Sequence, residues 1–344
     1  MFANLLRSIV IGLIVAGLLL VALPMLRHTN SLFAEKRENT SSEEPLSFNK
    51  AVRRAAPAVV NIYNRNVDGS VNALSLGSGV IMNERGYIIT NRHVIKDAQQ
   101  ITVVLQDGRK YEALLVGSDG LTDLAVLKIA PGNLPVIPIN AQRVAHVGDI
   151  VLAIGNPYNL GQTITQGILS ATGRISMSTT GRQTFLQTDA SINHGNSGGA
   201  LVNSVGELIG INTLTYDKVT DGETPEGLGF AIPVALATKI MDKLIRDGRV
   251  IRGYFGINGA ETLQGGIMVT KIEQDGPAAN AGLRVKDIII KVDNKPAVSV
   301  LETMDQVAEI RPGTEIPVVV VRNGKPMTLK MVVGEFPEYS DSNS

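Results

Sequence analysis

The sequence predicts a mostly β chain with two folded parts behind an apolar N-terminal segment. Short runs of β-branched and apolar residues recur along most of the chain, separated by turn signals such as Asp107-Gly108 and Asn323-Gly324. This pattern is typical of small barrels and sheets, and helical periodicity is confined to a few stretches. A length of 344 residues suggests about two domains. With 44% apolar residues, the chain is able to bury a substantial core.

Charge and composition argue against nucleic-acid binding and against cysteine-based sites. The sequence carries 32 Lys and Arg against 32 Asp and Glu. It therefore lacks the basic surplus of a nucleic-acid-binding chain, and no nucleic-acid partner is predicted. There is no cysteine, which removes disulfides and thiolate metal ligands. Because no His-Glu-x-x-His pattern is present either, the sequence predicts neither a metal site nor a cofactor.

The N-terminal segment favours a membrane anchor. Ile9 to Leu26 holds no charged residue, and such a run spans about 27 Å as a helix, near the thickness of a bilayer's hydrocarbon core. A cleaved signal peptide is the alternative, but its apolar core is roughly 7–15 residues, and no A-x-A-like cleavage site follows here. Residues 1–28 are therefore predicted as a transmembrane anchor and the polar residues 29–49 as a flexible linker. Arg7 and Arg27 flank the segment, so charge alone does not decide its orientation.

Residues from Ala51 to about Val219 show short strand patterns broken by turns. Hairpin turns are predicted at Asn83–Gly86, at Asp107-Gly108 and at Gly206. Many short strands with few helical stretches favour β-barrels. Strands are expected within Val59–Tyr63, Gly79–Ile95, Ile101–Val116, Asp149–Ile154, Thr163–Leu169 and Thr184–Gln187.

A helix and a smaller unit follow. Val234 to Asp247 is predicted to be helical, because Leu236, Ile240 and Leu244 recur every four residues and Gly248 suits the position just past a helix end. The smaller unit runs from Arg252 to about Pro337. Its expected elements are the strands Ile267–Ile272 and Asp287–Val292, a short helix Pro277–Ala281, a helix through Leu301, Met304 and Ala308, and a hairpin of Val318–Arg322 with Met327–Val333.

The glycine-rich stretch Gly195-Asn196-Ser197-Gly198-Gly199 is a candidate nucleophile loop. A serine hydroxyl is a weak nucleophile unless one group removes its proton and others stabilise the oxyanion that forms. Glycines on both sides let the backbone bend, so that two N–H groups point at one spot beside the serine oxygen. Taken alone, such a stretch is more often a simple turn, so its interpretation depends on the residues upstream.

Two upstream residues supply the other parts of a triad. His93 closes one strand-like run and Asp123 opens another, and the order His, Asp, Ser is that of chymotrypsin-type proteases. The sequence thus predicts Ser197 as nucleophile, His93 as general base and Asp123 as the group that orients it. The N–H groups of Gly195 and Ser197 would form the oxyanion hole. His194 is a weaker candidate base, because a neighbour in sequence rarely has the geometry to reach the serine oxygen.

These motifs resemble those of the HtrA family of serine proteases. The resemblance runs from about Ala51 to Gly334. It implies a chymotrypsin-like double β-barrel over residues 50–250, with the triad in the cleft between the barrels. One PDZ domain would follow over residues 251–338, and residues 339–344 would form a tail. The segments that carry the resemblance are Gly77–Ile81, Thr90–Val94, Leu121–Val126 and Gly195–Gly199.

The same resemblance implies a peptide site in the PDZ domain. Its backbone N–H groups would hold the C-terminal carboxylate of a peptide that adds as a strand. Members of the family imply that this peptide comes from unassembled outer-membrane porins. The stretch Asn258–Gly266 is short for the family, so the edge of the groove could differ there. The residues expected to bind are Tyr254, Phe255, Gly256 and Ile257.

Peptide docking is expected to remodel loops around the catalytic site. The candidate loops are Ala171–Arg182, which includes Arg174, and Thr213–Gly227, with Tyr158 in a third loop. An ordinary solvated charge is an equally good interpretation of Arg174.

The sequence indicates which side chain the substrate carries at P1. Trypsin-like proteases place a carboxylate six residues before the nucleophile, whereas this chain has Ser191 there. A small or aliphatic P1 residue such as Val or Ala is therefore expected. The family resemblance implies a membrane-spanning anti-sigma factor as substrate, a homotrimer, and a periplasmic body held at the bacterial inner membrane. The alternatives are a general quality-control protease of the same family and a non-catalytic PDZ scaffold.

Overall fold

The computed structural model describes residues 8–18, 47–65, 74–156, 161–175, 184–193, 195–213 and 227–337. The chain divides into two compact units, Met1–Ser47 and Phe48–Ser344. In the first unit, residues 8–18 form an exposed helix, α1. No helix in the described ranges is both long enough and apolar enough to cross a membrane. Residues 1–7 and 19–28 of the predicted anchor, residues 29–46 of the predicted linker and the predicted tail, 339–344, lie outside the described residues.

The second unit begins with a six-stranded closed barrel. Its strand order is β1-β2-β3-β6-β5-β4, and pairing of β1 with β4 closes it. Alternating buried residues line its interior, where Ile62, Ile88 and Val103 lie in one apolar cluster. The strands are β1 (Val59–Arg65), β2 (Leu74–Ile81), β3 (Tyr87–Asn91), β4 (Gln100–Val104), β5 (Lys110–Asp119) and β6 (Leu124–Lys128).

A second closed barrel of six strands follows. Its order is β10-β11-β12-β9-β8-β7, with β7 and β10 closing the ring. Together the two barrels confirm the predicted double-barrel fold. The strands are β7 (Ile150–Gly155), β8 (Thr163–Ile175), β9 (Thr184–Thr188), β10 (Ala200–Asn203), β11 (Leu208–Thr213) and β12 (Gly229–Pro233).

The two barrels share one core, which fixes their relative position. Ile89 of the first barrel and Leu152 of the second belong to the same buried apolar cluster. Helices α2 (Asn49–Ala55) and α3 (Val234–Asp247) pack onto this cluster from outside. Burial of this shared surface is what holds the walls of the cleft together.

Helix α3 has the predicted bounds, and Gly248 ends it in the left-handed conformation with φ 73°. Its buried face is Ala237, Ile240 and Leu244, while Leu236 is only partly buried. Helix α2 and strand β12 were not predicted from the sequence. Helix α2 has only seven residues and no side-chain cap, and β12 is bounded by glycine and proline and pairs with strands distant in sequence.

A smaller mixed domain completes the second unit. Its main sheet has the order β14-β15-β16-β18-β19, which leaves β14 at an edge. Asn323 and Gly324 both have positive φ, as the predicted two-residue turn between β18 and β19 requires. The elements are β13 (Gly253–Tyr254), β14 (Ile257–Glu261), β15 (Ile267–Ile272), α4 (Pro277–Asn280), β16 (Ile288–Val292), β17 (Lys295–Pro296), α5 (Val300–Ala308), β18 (Glu315–Arg322), β19 (Lys325–Val332) and β20 (Gly334–Glu335).

Candidate active site

His93 and Asp123 are in direct contact. His93 lies just after β3, Asp123 lies just before β6, and these two strands pair, with Asn91 opposite Leu124. The imidazole Nδ1 lies 2.6 Å from Asp123 Oδ2, and the backbone N–H of His93 donates to Asp123 Oδ1 at 2.9 Å. A neutral imidazole that donates its Nδ1 proton to a carboxylate leaves Nε2 as its basic nitrogen.

Asp123 is held by its backbone as well as by its side chain. The backbone carbonyl accepts hydrogen bonds from the Arg92 N–H at 2.9 Å and from Asn91 Nδ2 at 3.0 Å. The residue has a positive φ of 53°, which is uncommon outside glycine. These contacts fix the Asp123 backbone where its carboxylate meets His93.

Ser197 lies on a loop pressed against the first barrel. Gly198 has φ 80°, and a Cβ added to it would lie 2.2 Å from the Ser78 carbonyl oxygen and 2.3 Å from Thr90 Oγ1. Gly199 is equally tight, because its Cβ would lie 2.2 Å from the Ile154 carbonyl oxygen. Only glycine fits at these positions, and Thr90, which Gly198 contacts, lies on β3 three positions before His93.

Contacts between the barrels hold both the Ser197 loop and Asp123. The N–H of Ser78 on β2 donates to the Ser197 carbonyl at 2.9 Å. From the second barrel, Thr213 Oγ1 lies 3.5 Å from Asp123 Oδ2. Ser197 Oγ is buried and has no hydrogen-bond partner within the described part of the chain, His93 included. Such catalytic hydrogen bonds are often long in unliganded enzymes and tighten when substrate binds.

Ser191, the residue expected in the substrate pocket, lies between β9 and the Ser197 loop. Its carbonyl accepts from Thr165 Oγ1 at 2.8 Å. The nearby carboxylate of Asp189 is turned to β8, where Oδ1 accepts from the Ile168 N–H at 2.7 Å. A Cβ on Gly229 would lie 3.0 Å from both the Ala190 carbonyl oxygen and Ile192 Cδ1, so this glycine packs closely against the segment that carries Ser191. His194, the weaker candidate base, lies outside the described residues.

The predicted carboxylate-binding loop, Tyr254–Ile257, precedes the edge strand β14. The carbonyl of Phe255 accepts from the Ala278 N–H at 2.9 Å, and that of Gly256 accepts from the Glu273 N–H at 2.8 Å. In a trans peptide the C=O and N–H point in opposite directions, so the Gly256 and Ile257 N–H groups face away from these inner bonds. The Phe255 side chain is buried in the domain core.

The predicted regulatory residues are only partly described. Tyr158 lies outside the described residues, as do residues 176–183 and 214–226. The backbone of Arg174 belongs to β8, opposite Phe185. The first part of the predicted 171–182 loop is therefore strand, because β8 continues through Ile175 with shifts in its pairing with β9.

A buried ion pair between the two domains was not predicted from sequence. Arg252 NH1 and NH2 each lie 2.7 Å from an oxygen of Asp119, and both side chains are nearly buried, at 12% and 7% exposure. Asp119 Oδ2 also accepts from the Thr122 N–H at 3.1 Å and the Thr122 hydroxyl at 2.5 Å. Burial acts to raise the pKa of Asp119, but Arg252 and Thr122 together hold it below the usual value.

A second group of charges joins the same two domains. Glu309, at the end of α5, lies 3.0 Å from Lys239 Nζ and 3.0 Å from Lys243 Nζ on α3. Burial raises the pKa of Glu309, yet the two lysines keep it below the usual value. Arg249 forms a further pair with Glu335. No sequence signal reveals these pairs, since the partners of the buried pair are 133 positions apart.

Comparison with known proteins decides the family. A model described as a trypsin-like peptidase domain matches residues 77–211, and a PDZ domain model matches residues 253–333. The serine endoprotease DegS of Escherichia coli K12 is 68% identical over 353 residues, covering 98% of this chain and 99% of DegS. The chain belongs to the HtrA family. It is a DegS-like serine endopeptidase, which confirms the predicted family and enzyme class.

Solved structures and more distant HtrA relatives agree. A serine endoprotease from Yersinia pestis is 64% identical with a TM-score of 0.75, covering 86% of this chain and 100% of that one. The HtrA-type protease AlgW with a tripeptide is 45% identical with a TM-score of 0.79, covering 85% and 98%. DegQ of E. coli K12, named as a periplasmic pH-dependent serine endoprotease, is 43% identical but covers 75% of this chain and only 59% of its own length.

Proposed function

We propose that Ser197, His93 and Asp123 are the catalytic triad of this endopeptidase. His93 Nε2 takes the Ser197 hydroxyl proton as Oγ attacks the peptide carbonyl, and Asp123 stabilises the imidazolium. The N–H groups of Gly195 and Ser197 stabilise the oxyanion. When the C–N bond breaks, His93 returns the proton to the leaving amine, and water then releases the acyl group by the same route. The observation that carries this proposal is the 2.6 Å contact of His93 Nδ1 with Asp123 beside the buried Ser197 loop.

We propose further that the PDZ domain binds C-terminal peptides at Tyr254, Phe255, Gly256 and Ile257. Two features support this: outward N–H groups in the loop and the edge position of β14, on which a peptide strand can add. Helix α5 lies beside the same edge, because the Val300 N–H donates to Glu261 Oε1 at 3.1 Å. The AlgW structures with a tripeptide and a decapeptide are consistent with this mode in a relative. The proposed source of the peptides is unassembled outer-membrane porins.

The buried ion pair offers a route from the peptide loop to the triad. Arg252 lies two positions before Tyr254, and its partner Asp119 is bonded to Thr122, the neighbour of Asp123. Movement of the peptide loop is therefore passed through Arg252 and Asp119 to the segment of Asp123, which orients His93. A micromolar peptide supplies about 8 kcal/mol, and shifting a 1:99 equilibrium to 99:1 needs about 5.5 kcal/mol of differential affinity. Partial activation is the expected outcome. Tyr158 and Arg174 stay proposed members of the responding loops.

The proposed setting is a homotrimer tethered to the bacterial inner membrane, with its body in the periplasm, that cleaves a membrane-spanning anti-sigma factor. The sequence identities support the tethered role over general quality control, because this chain is 68% identical to DegS and 43% identical to DegQ. A non-catalytic scaffold is disfavoured by the contact between His93 and Asp123.

The experiment uses the full-length chain expressed in a Gram-negative host. Cleavage of a fluorogenic peptide with Val at P1 is measured with and without a decapeptide taken from a porin C-terminus, beside Ser197→Ala. Wild-type cleavage should rise with the decapeptide and vanish in the variant. Cleavage that survives Ser197→Ala would exclude the triad, and equal rates with and without the decapeptide would exclude peptide activation. Mass spectrometry of the protein from membranes tests the tether, since a mature start near residue 30 contradicts it.

A further inference from the structure

Ser78 is a completely buried serine on β2 that no step of the proposed mechanism uses. It lies between Gly77 and Gly79 in tightly packed backbone. A Cβ at Gly77 would lie 2.4 Å from Val94 Cγ1, and one at Gly79 would lie 2.8 Å from Ile62 Cδ1. Pairing with Asn61 on β1 fixes the same residue from the other side. Ser78 is therefore held rigidly by the first barrel.

Every polar group of Ser78 is engaged, and two of its bonds reach the nucleophile loop of the second barrel. Its N–H donates to the Ser197 carbonyl at 2.9 Å, and its Oγ donates to the Gly195 carbonyl at 2.7 Å. Its own carbonyl accepts from Thr90 Oγ1 at 2.7 Å. Its Oγ also accepts from the Asn156 N–H at 3.0 Å. Because the Asn156 N–H donates to Ser78 Oγ, the hydroxyl proton of Ser78 is left to donate to the Gly195 carbonyl.

These bonds fix three consecutive peptide groups around the proposed oxyanion donors. Ser78 holds the carbonyls of Gly195 and Ser197, and the Gly199 N–H holds the Asn196 carbonyl at 2.9 Å. The Ser197 N–H belongs to the Asn196–Ser197 peptide, so it points opposite to that fixed carbonyl. Of the three carbonyls, only that of Gly195 relies on a side chain, and Gly195 itself has a φ of 100°.

We infer that the Ser78 hydroxyl is a positioning residue for the oxyanion loop. It acts through Gly195 and never touches substrate, and the inference rests on the proposed role of Ser197. A hydroxyl suits the position because one small group must accept from an amide and donate to a carbonyl at once. Without it, two buried polar groups lose their partner, and within the described residues the Gly195–Asn196 peptide keeps only the bond from the Asn196 N–H to the Asn193 carbonyl, at 3.0 Å.

The test compares full-length Ser78→Ala, Ser78→Thr and Ser78→Cys with wild type. Loss of one oxyanion donor costs about 10²- to 10³-fold in kcat, and a displaced donor keeps part of its effect. Ser78→Ala should therefore lower kcat by about 10- to 100-fold with KM changed much less. Labelling of Ser197 by a fluorophosphonate, which needs the same oxyanion contacts, should slow by a similar factor. Ser78→Thr keeps the hydroxyl and should recover most of both rates.

The matched control is Ile62→Val, which removes a buried methyl group against Gly79, the neighbour of Ser78, and alters no hydrogen bond. The inference is overturned if Ser78→Ala labels at the wild-type rate. It is also overturned if Ile62→Val slows labelling as much, or if folded Ser78→Thr stays as slow as the alanine variant. Should Ser78→Ala not fold, Ser78→Cys decides. A thiol is a weak donor, so a rate equal to wild type contradicts the inference. An inactive wild type, or an active Ser197→Ala, would instead refute the triad itself.

Discussion

Replacing Arg252 by Gln tests both the stability and the coupling assigned to the interdomain ion pair. The variant leaves Asp119 in a nearly buried site with Thr122 as its remaining hydrogen-bond donor. Breaking a buried pair by removing one partner costs about 3–5 kcal/mol. Because Arg252 and Asp119 keep 12% and 7% of their side-chain surface exposed, we expect the lower end, about 3 kcal/mol.

Urea unfolding of the full-length chain measures this cost. The control is Arg249→Gln, whose pair with Glu335 is 46% and 40% exposed and crosses the same boundary. Exposed pairs contribute about 0–1 kcal/mol, so the two variants should differ clearly. In a double-mutant cycle with Asp119→Asn, the double variant should lose less unfolding free energy than the two single variants lose together. The difference should be about 0.5–3 kcal/mol.

Activity provides the second measurement. If the ion pair favours the resting arrangement of the loops, its loss should raise the rate of cleavage without peptide. A change of about 1.4 kcal/mol in that preference shifts the equilibrium between resting and active loops tenfold. We expect a rise of at least about tenfold in Arg252→Gln and none in Arg249→Gln. Equal unfolding free energies for the two variants would refute the argument from burial. Unchanged peptide-free cleavage would refute the coupling and leave the stability argument in place.

Three further predictions concern the triad, the loop and acid stability. Asp123→Asn should lower kcat by about 10⁴-fold, because the amide presents the wrong hydrogen bond to His93, and unchanged kinetics would contradict the assigned role. Gly198→Ala should lower the unfolding midpoint and the labelling rate of Ser197, since its Cβ would lie 2.2 Å from a fixed carbonyl oxygen; a stable, active variant would contradict this packing. The hydrogen bonds from Arg322 hold the pKa of buried Asp287 below its usual value. This carboxylate therefore stabilises the fold above about pH 3.9, and its contribution is lost as pH falls through the lower folded pKa. Asp287→Asn should flatten that acid limb in pH-dependent unfolding, and an unchanged limb would refute the assignment.

Local signals in the sequence predicted most of the strands and the nucleophile loop. The Asn323-Gly324 turn and the apolar spacing of α3 are properties of neighbouring residues, so they are visible without coordinates. Helix α2 was not visible in this way, because seven residues without a cap are stable only through the core they join.

The parts that escaped prediction depend on contacts between distant residues. Nothing near Arg252 in the sequence indicates that it pairs with Asp119. The role of Ser78 is hidden for the same reason, since its partner Gly195 is 117 positions away. Family motifs predicted the triad, whereas the contacts that support the Ser197 loop are visible only in the packing of one barrel on the other.

The packing of helix α3 determines where the peptidase part can be separated from the PDZ domain. It leads toward the PDZ domain, yet Ala237, Ile240 and Leu244 are buried in the apolar cluster that both barrels share. A peptidase fragment cut before Val234 would lose three of the side chains that seal its interior and expose their neighbours to water. The natural place to separate the domains is therefore beyond Gly248, and a truncation series across that point should show solubility return once the helix is included.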